Sequence, residues 1–354
     1  MIPSLFPRDL ELDPVRIGVV GLGYWGPNLI RNLQDLEASE LQWICDLDRT
    51  RLQAIGKRYP AVRSTTSYED LLADPELEAV AIATPVSTHH SLALAALEAG
   101  KHVFIEKPLA ASSAEAKELM TVADERGLIL MPGHTFLYSP PVNMIRDLIR
   151  SGELGDIYFI SMSRVNLGLH QSDVSVAWDL GPHDFSILRY WLDETPSHLS
   201  AMSRSCVFPG IPDVAFINLE YQGGAIAHVE LSWLAPSKLR RTTVVGSNKM
   251  VVYDDVSTEP VRVFDSGVML RDPQSFGEFQ LSYRTGEIVS PAVQPAEPLQ
   301  VEMADLCHAI RSGAKPRSSA ELGVAVVRMI EAVDVSLASS GNRVPLAGGA
   351  AIAA

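Results

Sequence analysis

The chain has 354 residues, of which 47% are hydrophobic and 20% are charged. This length exceeds that of a usual single domain and predicts two domains in one chain. Asp and Glu outnumber Lys and Arg by 43 to 29, and the net charge of −14 would repel a phosphate backbone, so no nucleic-acid partner is expected. No apolar run reaches the roughly 18 residues of a membrane span, so no membrane partner is expected either.

The amino terminus and the cysteines indicate the compartment. MIPSLFPRDLELDP contains no basic segment followed by an apolar stretch, so no secretory signal is predicted and a cytoplasmic location is favoured. Cys45, Cys206 and Cys307 are far apart in the sequence and lack metal-type spacing. They are predicted to be reduced thiols, and no bound metal is expected.

Short apolar runs alternate with amphipathic segments from Val15 onward. The runs RIGVVG, LQWICD, AVAIAT, HVFIE and LILMP are typical of buried strands. Helical periodicity is found near 25–36, 49–58, 88–99 and 112–126. Buried strands separated by helices predict an α/β domain over residues 1–133, with a doubly wound parallel sheet covered on both faces.

Strands dominate the second half of the chain. A helix candidate at 139–151 is followed by the strand-like runs IYFISMSRVN, HLSAMSRSCVF, VAFINLEYQ, AIAHVELSW and RTTVVGS. They predict a second α/β domain over residues 134–340, in which a helix at 183–192 crosses an open, largely antiparallel sheet. Apolar residues at alternating positions of this sheet favour burial against another subunit, so a homo-oligomer, a dimer or tetramer, is expected.

The C-terminal region is predicted to be helical. Helices are expected at 299–312 and 319–338, and the sequence leaves open which of the two domains they pack against. Residues 341–354 are rich in Ala and Gly and are expected to form a tail.

A dinucleotide-binding turn follows the first predicted strand. RIGVVG runs into GLGYWG, so Gly21, Gly23 and Gly26 form a G-x-G-x-x-G pattern at a strand-to-helix junction. The first glycine permits the tight turn, the second lets the backbone approach the pyrophosphate, and the third allows close helix packing. The pattern predicts a Rossmann domain, and it places Tyr24 and Trp25 of the same turn at the cofactor.

The end of the second predicted strand bears on the choice of cofactor. The stretch ICDLD places Asp46 twenty residues after Gly26, where a carboxylate can accept both ribose hydroxyls and would repel a 2′-phosphate. NAD is therefore favoured over NADP. Arg49 and Arg51 nearby keep NADP open as the alternative.

The fourth predicted strand leaves as ATPVSTHH. Ligands of a doubly wound sheet bind beyond the carboxyl ends of the strands, so Thr84, Pro85, Ser87 and His89 are expected to line the cofactor crevice. For His89 the alternative is a ring at a helix start that the local backbone satisfies. We therefore assign no chemistry to His89.

A charged pair, Glu106 and Lys107, follows the fifth predicted strand and precedes Pro108. The same topological rule places this pair beside the nicotinamide half of the cofactor. There the Lys107 ammonium can hydrogen-bond a substrate hydroxyl and stabilise the negative charge that develops on its oxygen as hydride leaves. Glu106, which is also expected at the cofactor, can pair with Lys107 or orient it. The alternative is a solvated loop that happens to contain EKP.

These motifs together resemble the Gfo/Idh/MocA family, named for glucose-fructose oxidoreductase and inositol dehydrogenase. The similarity rests on the glycine turn, on ATP with a histidine four residues after the proline, and on GKHVFIEKPLA. The resemblance implies an N-terminal Rossmann domain and a C-terminal α/β domain whose open sheet mediates oligomers. It also implies that Lys107 is catalytic.

The stretch WDLGPHDFSILRYWL contains Asp179 and His183, whose spacing of four places both on one face of a helical turn. The family carries a D-x-x-x-H motif in which the histidine is commonly the proton acceptor, so the resemblance implies that His183 is the general base. An imidazole with a reference pKa of about 6.5 accepts a proton near neutrality. Asp179 would fix its tautomer and stabilise the imidazolium. A structural histidine is the alternative.

Within the family, GLGYWGPNL, GHTFLYSP, SRVNLGLHQSD and WDLGPHD are most similar to nucleotide-sugar dehydrogenases of the UDP-N-acetylglucosaminuronate 3-dehydrogenase type. Substrate binding is assigned to four polar residues before the catalytic helix, which could instead be ordinary sheet-edge residues: Arg164, Asn166, Gln171 and Asp173. The expected activity is NAD-dependent oxidation of a secondary hydroxyl, at C3 of a sugar or sugar nucleotide, or the reverse reduction. The alternatives are an inositol, polyol or free-sugar dehydrogenase and a non-catalytic dinucleotide-binding sensor.

Overall fold

The computed structural model describes residues 13–168, 174–270 and 281–346. These residues form two compact units. The first unit contains the described residues up to Ser139 together with Ala296–Arg328, and the second contains Pro140–Pro295 together with the described residues from Met329 onward. Most of the C-terminal helical region therefore groups with the first unit.

The first unit is built on a parallel sheet of six strands in the order β3-β2-β1-β4-β5-β6. The strands are β1 (Val15–Val20), β2 (Ser39–Cys45), β3 (Arg63–Thr65), β4 (Ala79–Ile82), β5 (His102–Glu106) and β6 (Leu130–Gly133). The helices between them are α1 (Gly26–Asp35), α2 (Arg49–Arg58), α3 (Tyr68–Leu72), α4 (His89–Glu98) and α5 (Ser113–Arg126). Short 3₁₀ turns cover Val86–Thr88 and Thr135–Tyr138. The predicted doubly wound parallel sheet is confirmed.

The strands of this sheet are apolar along their length because helices cover both faces. All four residues of β4 are completely buried, and β1 exposes only part of Arg16. Helix starts follow local capping rules: the Asp48 side chain accepts the backbone N–H groups of Thr50 and Arg51 at the start of α2, and Ser112 accepts that of Glu115 at the start of α5.

The second unit is built on a nine-stranded sheet in the order β14-β13-β12-β11-β7-β10-β9-β8-β15. Its strands are β7 (Ile157–Leu167), β8 (His198–Arg204), β9 (Val214–Glu220), β10 (Ile226–Ser232), β11 (Leu234–Gly246), β12 (Met250–Asp254), β13 (Val261–Leu270), β14 (Leu281–Val289) and β15 (Val344–Pro345). The pairing of β7 with β10 is parallel and the other pairings are antiparallel. The predicted open, largely antiparallel sheet is confirmed.

Two helices of the second unit precede and follow β7: α6 (Pro140–Arg150) and α7 (Val176–Leu192). The sequence predicts a helix over 183–192 and a helical turn from Asp179 to His183, whereas α7 already begins at Val176, after the cap residue Ser175. Gly181 and Pro182 hide this earlier start in the sequence, because both residues disfavour a helix interior. Most of α7 is buried, and this packing outweighs the local cost.

The C-terminal helices are α8 (Pro298–Ser312) and α9 (Ala320–Ala338). Two ion pairs anchor α8 on the first unit: Arg311 binds both carboxylate oxygens of Glu78 at 2.7 and 2.9 Å, and Glu297 binds Arg31. Both partners of the Glu78 pair are mostly shielded from solvent. These two ion pairs explain why α8 packs within the first unit.

Replacing Glu78 with Gln is expected to lower the free energy of unfolding by about 2 kcal/mol at neutral pH, because Arg311 loses a bidentate charged acceptor. The hydrogen bonds from Arg311 lower the pKa of Glu78 from 4.5 to about 2. Its stabilisation is therefore present above the unfolded pKa and is lost as the pH falls from 4.5 toward 2. Urea denaturation at neutral and acidic pH measures both effects. Glu76→Gln, which removes an exposed carboxylate nearby, should cost less than about 0.5 kcal/mol, and equal losses in the two variants would contradict this account.

Candidate active site

The glycine turn between β1 and α1 is closely packed where the sequence predicts it to be. Gly21 has a φ of +90°, and a Cβ atom there would lie 2.6 Å from the carbonyl oxygen of Ala83. A Cβ on Gly26 would overlap the carbonyl oxygen of Gly21. Gly23 faces open space, since its nearest neighbour is the Arg51 guanidinium at 4.0 Å. The turn thus leaves its backbone accessible to a pyrophosphate at the start of α1.

Asp46 lies directly after β2 and its carboxylate is fixed by the backbone. Its Oδ2 accepts the N–H of Leu22 at 2.6 Å, and its Oδ1 accepts the N–H of Asp48 at 2.7 Å. The Arg51 guanidinium lies 3.8 Å from Oδ2 and is half-exposed. The site therefore presents an oriented carboxylate, as a ribose partner requires, with a cation beside it.

These residues line one crevice of about 680 Å³ in the first unit, a volume typical of a small-molecule site. The crevice brings together seven of the residues predicted to bind the cofactor: Gly21, Gly23, Tyr24, Trp25, Asp46, Thr84 and Pro85. The rings of Tyr24 and Trp25 meet edge to face with centroids 5.6 Å apart, and Tyr24 is 80% exposed. The other predicted cofactor residues do not line this crevice: Gly26, Ser87, His89 and Glu106.

His89 has a structural environment, which was the alternative left open by the sequence. Its ring is 1% exposed, with Nδ1 at 2.8 Å from the carbonyl oxygen of Pro108 and Nε2 at 2.9 Å from that of Thr84. Burial lowers the pKa of His89, so the neutral ring donates to one carbonyl at a time. The histidine thereby ties the loop after β4 to the loop after β5.

The EKP segment lies at the carboxyl end of β5. Glu106 is buried and Lys107 is half-buried, and the Lys107–Pro108 peptide bond is cis. Burial raises the pKa of Glu106 to about 7, although Lys107 opposes the shift. Gly133, the β6 partner of Glu106, makes room for this carboxyl: a Cβ there would lie 3.3 Å from Glu106 Oε2.

Two further buried ionisable groups lie in the same unit and have no obvious signal in the sequence. Burial lowers the pKa of His134 to about 3, so its ring is neutral. Glu302 of α8 accepts the hydroxyl of Thr135 at 2.7 Å, and burial raises its pKa well above the usual value. Burial thus favours the uncharged form of both groups.

The predicted dyad lies on α7 in the second unit. Asp179 and His183 are both half-buried and occupy positions four apart on the helix. The indole N–H of Trp233 donates to Asp179 Oδ2 at 3.1 Å. Sequence reasoning missed Trp233, because its distance of 54 positions from Asp179 gives no local pattern.

Arg164 is assigned to the substrate by the sequence, and the structure places it in a buried ion pair. Its guanidinium is 5% exposed, and Nε and Nη2 donate to the carboxylate of Asp184 at 2.7 and 3.1 Å. Asp184, the residue after His183, was not singled out from the sequence. Asn166 is half-buried on the same strand, β7. Gln171 and Asp173 lie outside the described residues.

The described residues are those at 13–168, 174–270 and 281–346. In these ranges no group of three or more His, Cys, Asp or Glu side chains is placed to hold a metal ion. No helix in the same ranges is long and apolar enough to cross a membrane.

Family models match both halves of the chain. The model described as "Oxidoreductase family, NAD-binding Rossmann fold" matches residues 15–134, and the model described as "GFO/IDH/MocA C-terminal domain" matches residues 142–252. The chain is also 28% identical to D-xylose 1-dehydrogenase (NADP(+)) 2 of Haloferax volcanii, over 90% of this chain and 94% of the relative.

Two solved structures share the fold. GenD2 from gentamicin A biosynthesis, in complex with NAD, has a TM-score of 0.81 at 24% identity and is covered over 100% of its chain and 98% of this one. UDP-N-acetylglucosamine 3-dehydrogenase GnnA from Acidithiobacillus ferrooxidans has a TM-score of 0.79 at 22% identity, and the match covers 99% of its chain and 93% of this one. The two family models together span most of the chain, and the glycine turn, Asp46 and the EKP segment lie within the first of them. The protein belongs to the Gfo/Idh/MocA family of NAD-binding oxidoreductases.

Proposed function

We propose that the protein is an NAD-dependent dehydrogenase that transfers a hydride between a secondary hydroxyl of a sugar or sugar nucleotide, at C3, and the nicotinamide ring. The observation that carries the proposal is the position of Lys107, half-buried at the carboxyl end of β5 in a unit whose glycine turn and fixed Asp46 fit NAD. Intact Asp179 and His183 on α7 support turnover rather than a sensor role.

Three side chains carry the chemistry in this proposal. NAD supplies the hydride acceptor when it is bound. The Lys107 ammonium donates a hydrogen bond to the substrate oxygen and stabilises its negative charge. The His183 imidazole accepts the hydroxyl proton, and Asp179, four positions earlier on α7, orients that imidazole. The same groups serve keto-sugar reduction, with His183 returning the proton.

The substrate class rests on sequence similarity. The resemblance to nucleotide-sugar 3-dehydrogenases favours a sugar nucleotide, and the shared fold of GnnA is compatible with it. The xylose dehydrogenase relative favours a free sugar, which is the second candidate together with inositol and other polyols. Asn166 is proposed to contact the substrate, as are Gln171 and Asp173, whereas the ion pair with Asp184 leaves Arg164 a supporting role behind the dyad.

NADH fluorescence with a panel of UDP-sugars, free sugars and inositols tests this function. NADH formation with a UDP-sugar and not with free sugars or inositols supports the first candidate. Turnover of free sugars or inositols alone supports the second. Tight NAD binding without turnover of any member would refute both and favour a sensor.

Lys107→Ala and His183→Ala are each expected to lower kcat by about a hundredfold or more on the identified substrate. NAD affinity should change much less, and the double variant should lose less than the product of the two effects, because both groups serve one reaction step. Lys117→Ala and His90→Ala remove a lysine and a histidine elsewhere in the first unit and should keep wild-type turnover. Near-normal turnover in Lys107→Ala would place the active site elsewhere.

NAD should bind more tightly than NADP, since the fixed Asp46 carboxylate repels a 2′-phosphate. In Asp46→Ser the ratio of the two dissociation constants should narrow at least about tenfold, with Arg51 left to bind the added phosphate. Cofactor titrations followed by tryptophan fluorescence measure the ratio. Asp48→Ser removes the neighbouring carboxylate while keeping a helix cap, and a comparable narrowing there would refute the assignment of Asp46.

The protein is further proposed to be cytoplasmic and to assemble as a dimer or tetramer through the sheet of the second unit. One face of this sheet buries Ala227, Val229 and Leu231 of β10. The opposite face exposes four large apolar side chains on four strands, β7 to β10: Phe159, Met202, Phe216 and Ile226. Their burial against a second copy would remove this apolar surface from water.

Phe216→Lys is expected to dissociate the oligomer to monomers, as measured by light scattering at micromolar concentration. Phe216 lies opposite Glu230 in the β9–β10 ladder, so the new cation has a partner in the monomer and should not unfold it. Tyr158→Lys changes an exposed aromatic residue on the other side of β7 and should leave assembly intact. A monomeric wild-type protein, or an unchanged mass for Phe216→Lys, would refute this interface.

A further inference from the structure

The backbone of Trp233 is held at the point where three strands end. Trp233 lies between β10 and β11, and its N–H donates to the carbonyl of Asp213, the residue before β9, at 3.0 Å. Its carbonyl accepts the N–H of Gly168, the residue after β7, at 3.0 Å. Asp213 is itself fixed, since its carboxylate accepts the N–H groups of Cys206 and Val207. The indole therefore projects from a rigid base.

The indole of Trp233 is buried, with 1% exposed, and its packing requires a glycine nearby. A Cβ atom on Gly168 would lie 2.8 Å from the indole Cδ1. The ring is thus confined against the backbone of residue 168, and its one polar atom, Nε1, donates to Asp179 Oδ2 at 3.1 Å. Neither the ring nor its hydrogen bond belongs to the chemistry assigned above.

The first turn of α7 is held by the chain segment that also holds the backbone of Trp233. The N–H of Val176 donates to the carbonyl of Pro212 at 2.9 Å, and the Ser175 hydroxyl accepts the N–H of Trp178. The chain segment 212–213 thus holds both the start of α7 and the backbone of Trp233. Donor and acceptor of the indole–carboxylate bond share one support, so their distance is set by the fold.

Trp178 of the same helix forms a second indole–carboxylate bond, which serves as a comparison for the bond from Trp233. Trp178 donates to Asp334 of α9 at 2.7 Å, which joins two helices. Trp233 donates to Asp179, the carboxylate four positions before His183. Asp184, the residue after His183, is paired with Arg164 of β7. A carboxylate held in place acts on a nearby imidazole more strongly than one that samples several rotamers.

We infer that Trp233 is a positioning residue for the Asp179–His183 pair: its indole N–H holds the carboxylate of Asp179 in the orientation in which that carboxylate acts on His183. The inference deepens the proposed function and rests on it for its catalytic consequence. Trp233 does not touch the reacting atoms, and its effect passes through Asp179.

The test is the titration of His183 in the protein without cofactor or substrate, followed by NMR of ring-labelled histidine with His183→Ala for assignment. Asp179→Asn should lower the pKa of His183, because the imidazolium loses its anionic partner. Trp233→Phe keeps most of the aromatic volume and removes the indole N–H. This variant should also lower the pKa of His183, by a smaller amount than Asp179→Asn. On the identified substrate, Trp233→Phe should lower kcat about tenfold while KM for NAD stays unchanged.

Two comparison variants separate the effect of the Trp233–Asp179 bond from a general effect of altering an indole contact on α7. Trp178→Phe removes the equivalent bond to Asp334 and should leave the titration of His183 unchanged. Gly168→Ala crowds the indole without removing it and should reproduce the lowered pKa, which keeps the inference testable if Trp233→Phe does not fold. An unchanged or raised pKa in Trp233→Phe, or an equal shift in Trp178→Phe, would overturn the inference. Lack of sugar turnover would refute the proposed function instead, and the titration would still decide the role of Trp233.

Discussion

The close approach of two backbone segments at the end of β1 is the constraint on which the first unit depends. Gly21 packs on the carbonyl of Ala83, and Gly26 packs on the carbonyl of Gly21, at distances that leave no space for a side chain. This approach brings the start of α1 to the carboxyl ends of β1 and β4. Because β4 pairs with β5 in parallel, the EKP segment comes to the same edge of the sheet. The glycine turn and the EKP segment thus lie at one edge of the sheet because of the strand pairing.

Burial favours the neutral forms of Glu106, His134 and Glu302 in the first unit, which bears on how the charge of Lys107 can act. Burial raises the pKa of Glu106 to about 7, so this carboxyl is protonated far more readily than an exposed glutamate. Burial lowers the pKa of His134 to about 3, so its ring is uncharged near neutrality, and burial raises the pKa of Glu302. An ionised Glu106 would offset the positive charge of the Lys107 ammonium, whereas a protonated Glu106 would not, which bears on the proposed role of Lys107 at an oxyanion.

The fold could be predicted from the sequence because its signals are local. Buried runs such as AVAIAT and the glycine turn depend on neighbouring residues, and both lie where the pattern places them. The contacts of the candidate site are mostly long-range, and sequence reasoning missed them for that reason. Trp233 reaches Asp179 over 54 positions, and Glu302 reaches Thr135 over 167. Arg164 was assigned to the substrate from its place on the strand before the catalytic helix, and that position cannot distinguish a ligand contact from a buried ion pair.

The candidate catalytic residues differ in burial from the charged residues beside them in the chain. Lys107, Asp179 and His183 are half-buried, whereas residues beside them in the chain, Glu106 and Asp184, are buried. The buried bidentate pair of Asp184 with Arg164 joins α7 to β7, and breaking it would leave an uncompensated charge in the interior. Such a pair adds little net stability, but it permits few alternative positions of the helix. The backbone that carries His183 is therefore fixed one residue away from the residue proposed as the proton acceptor.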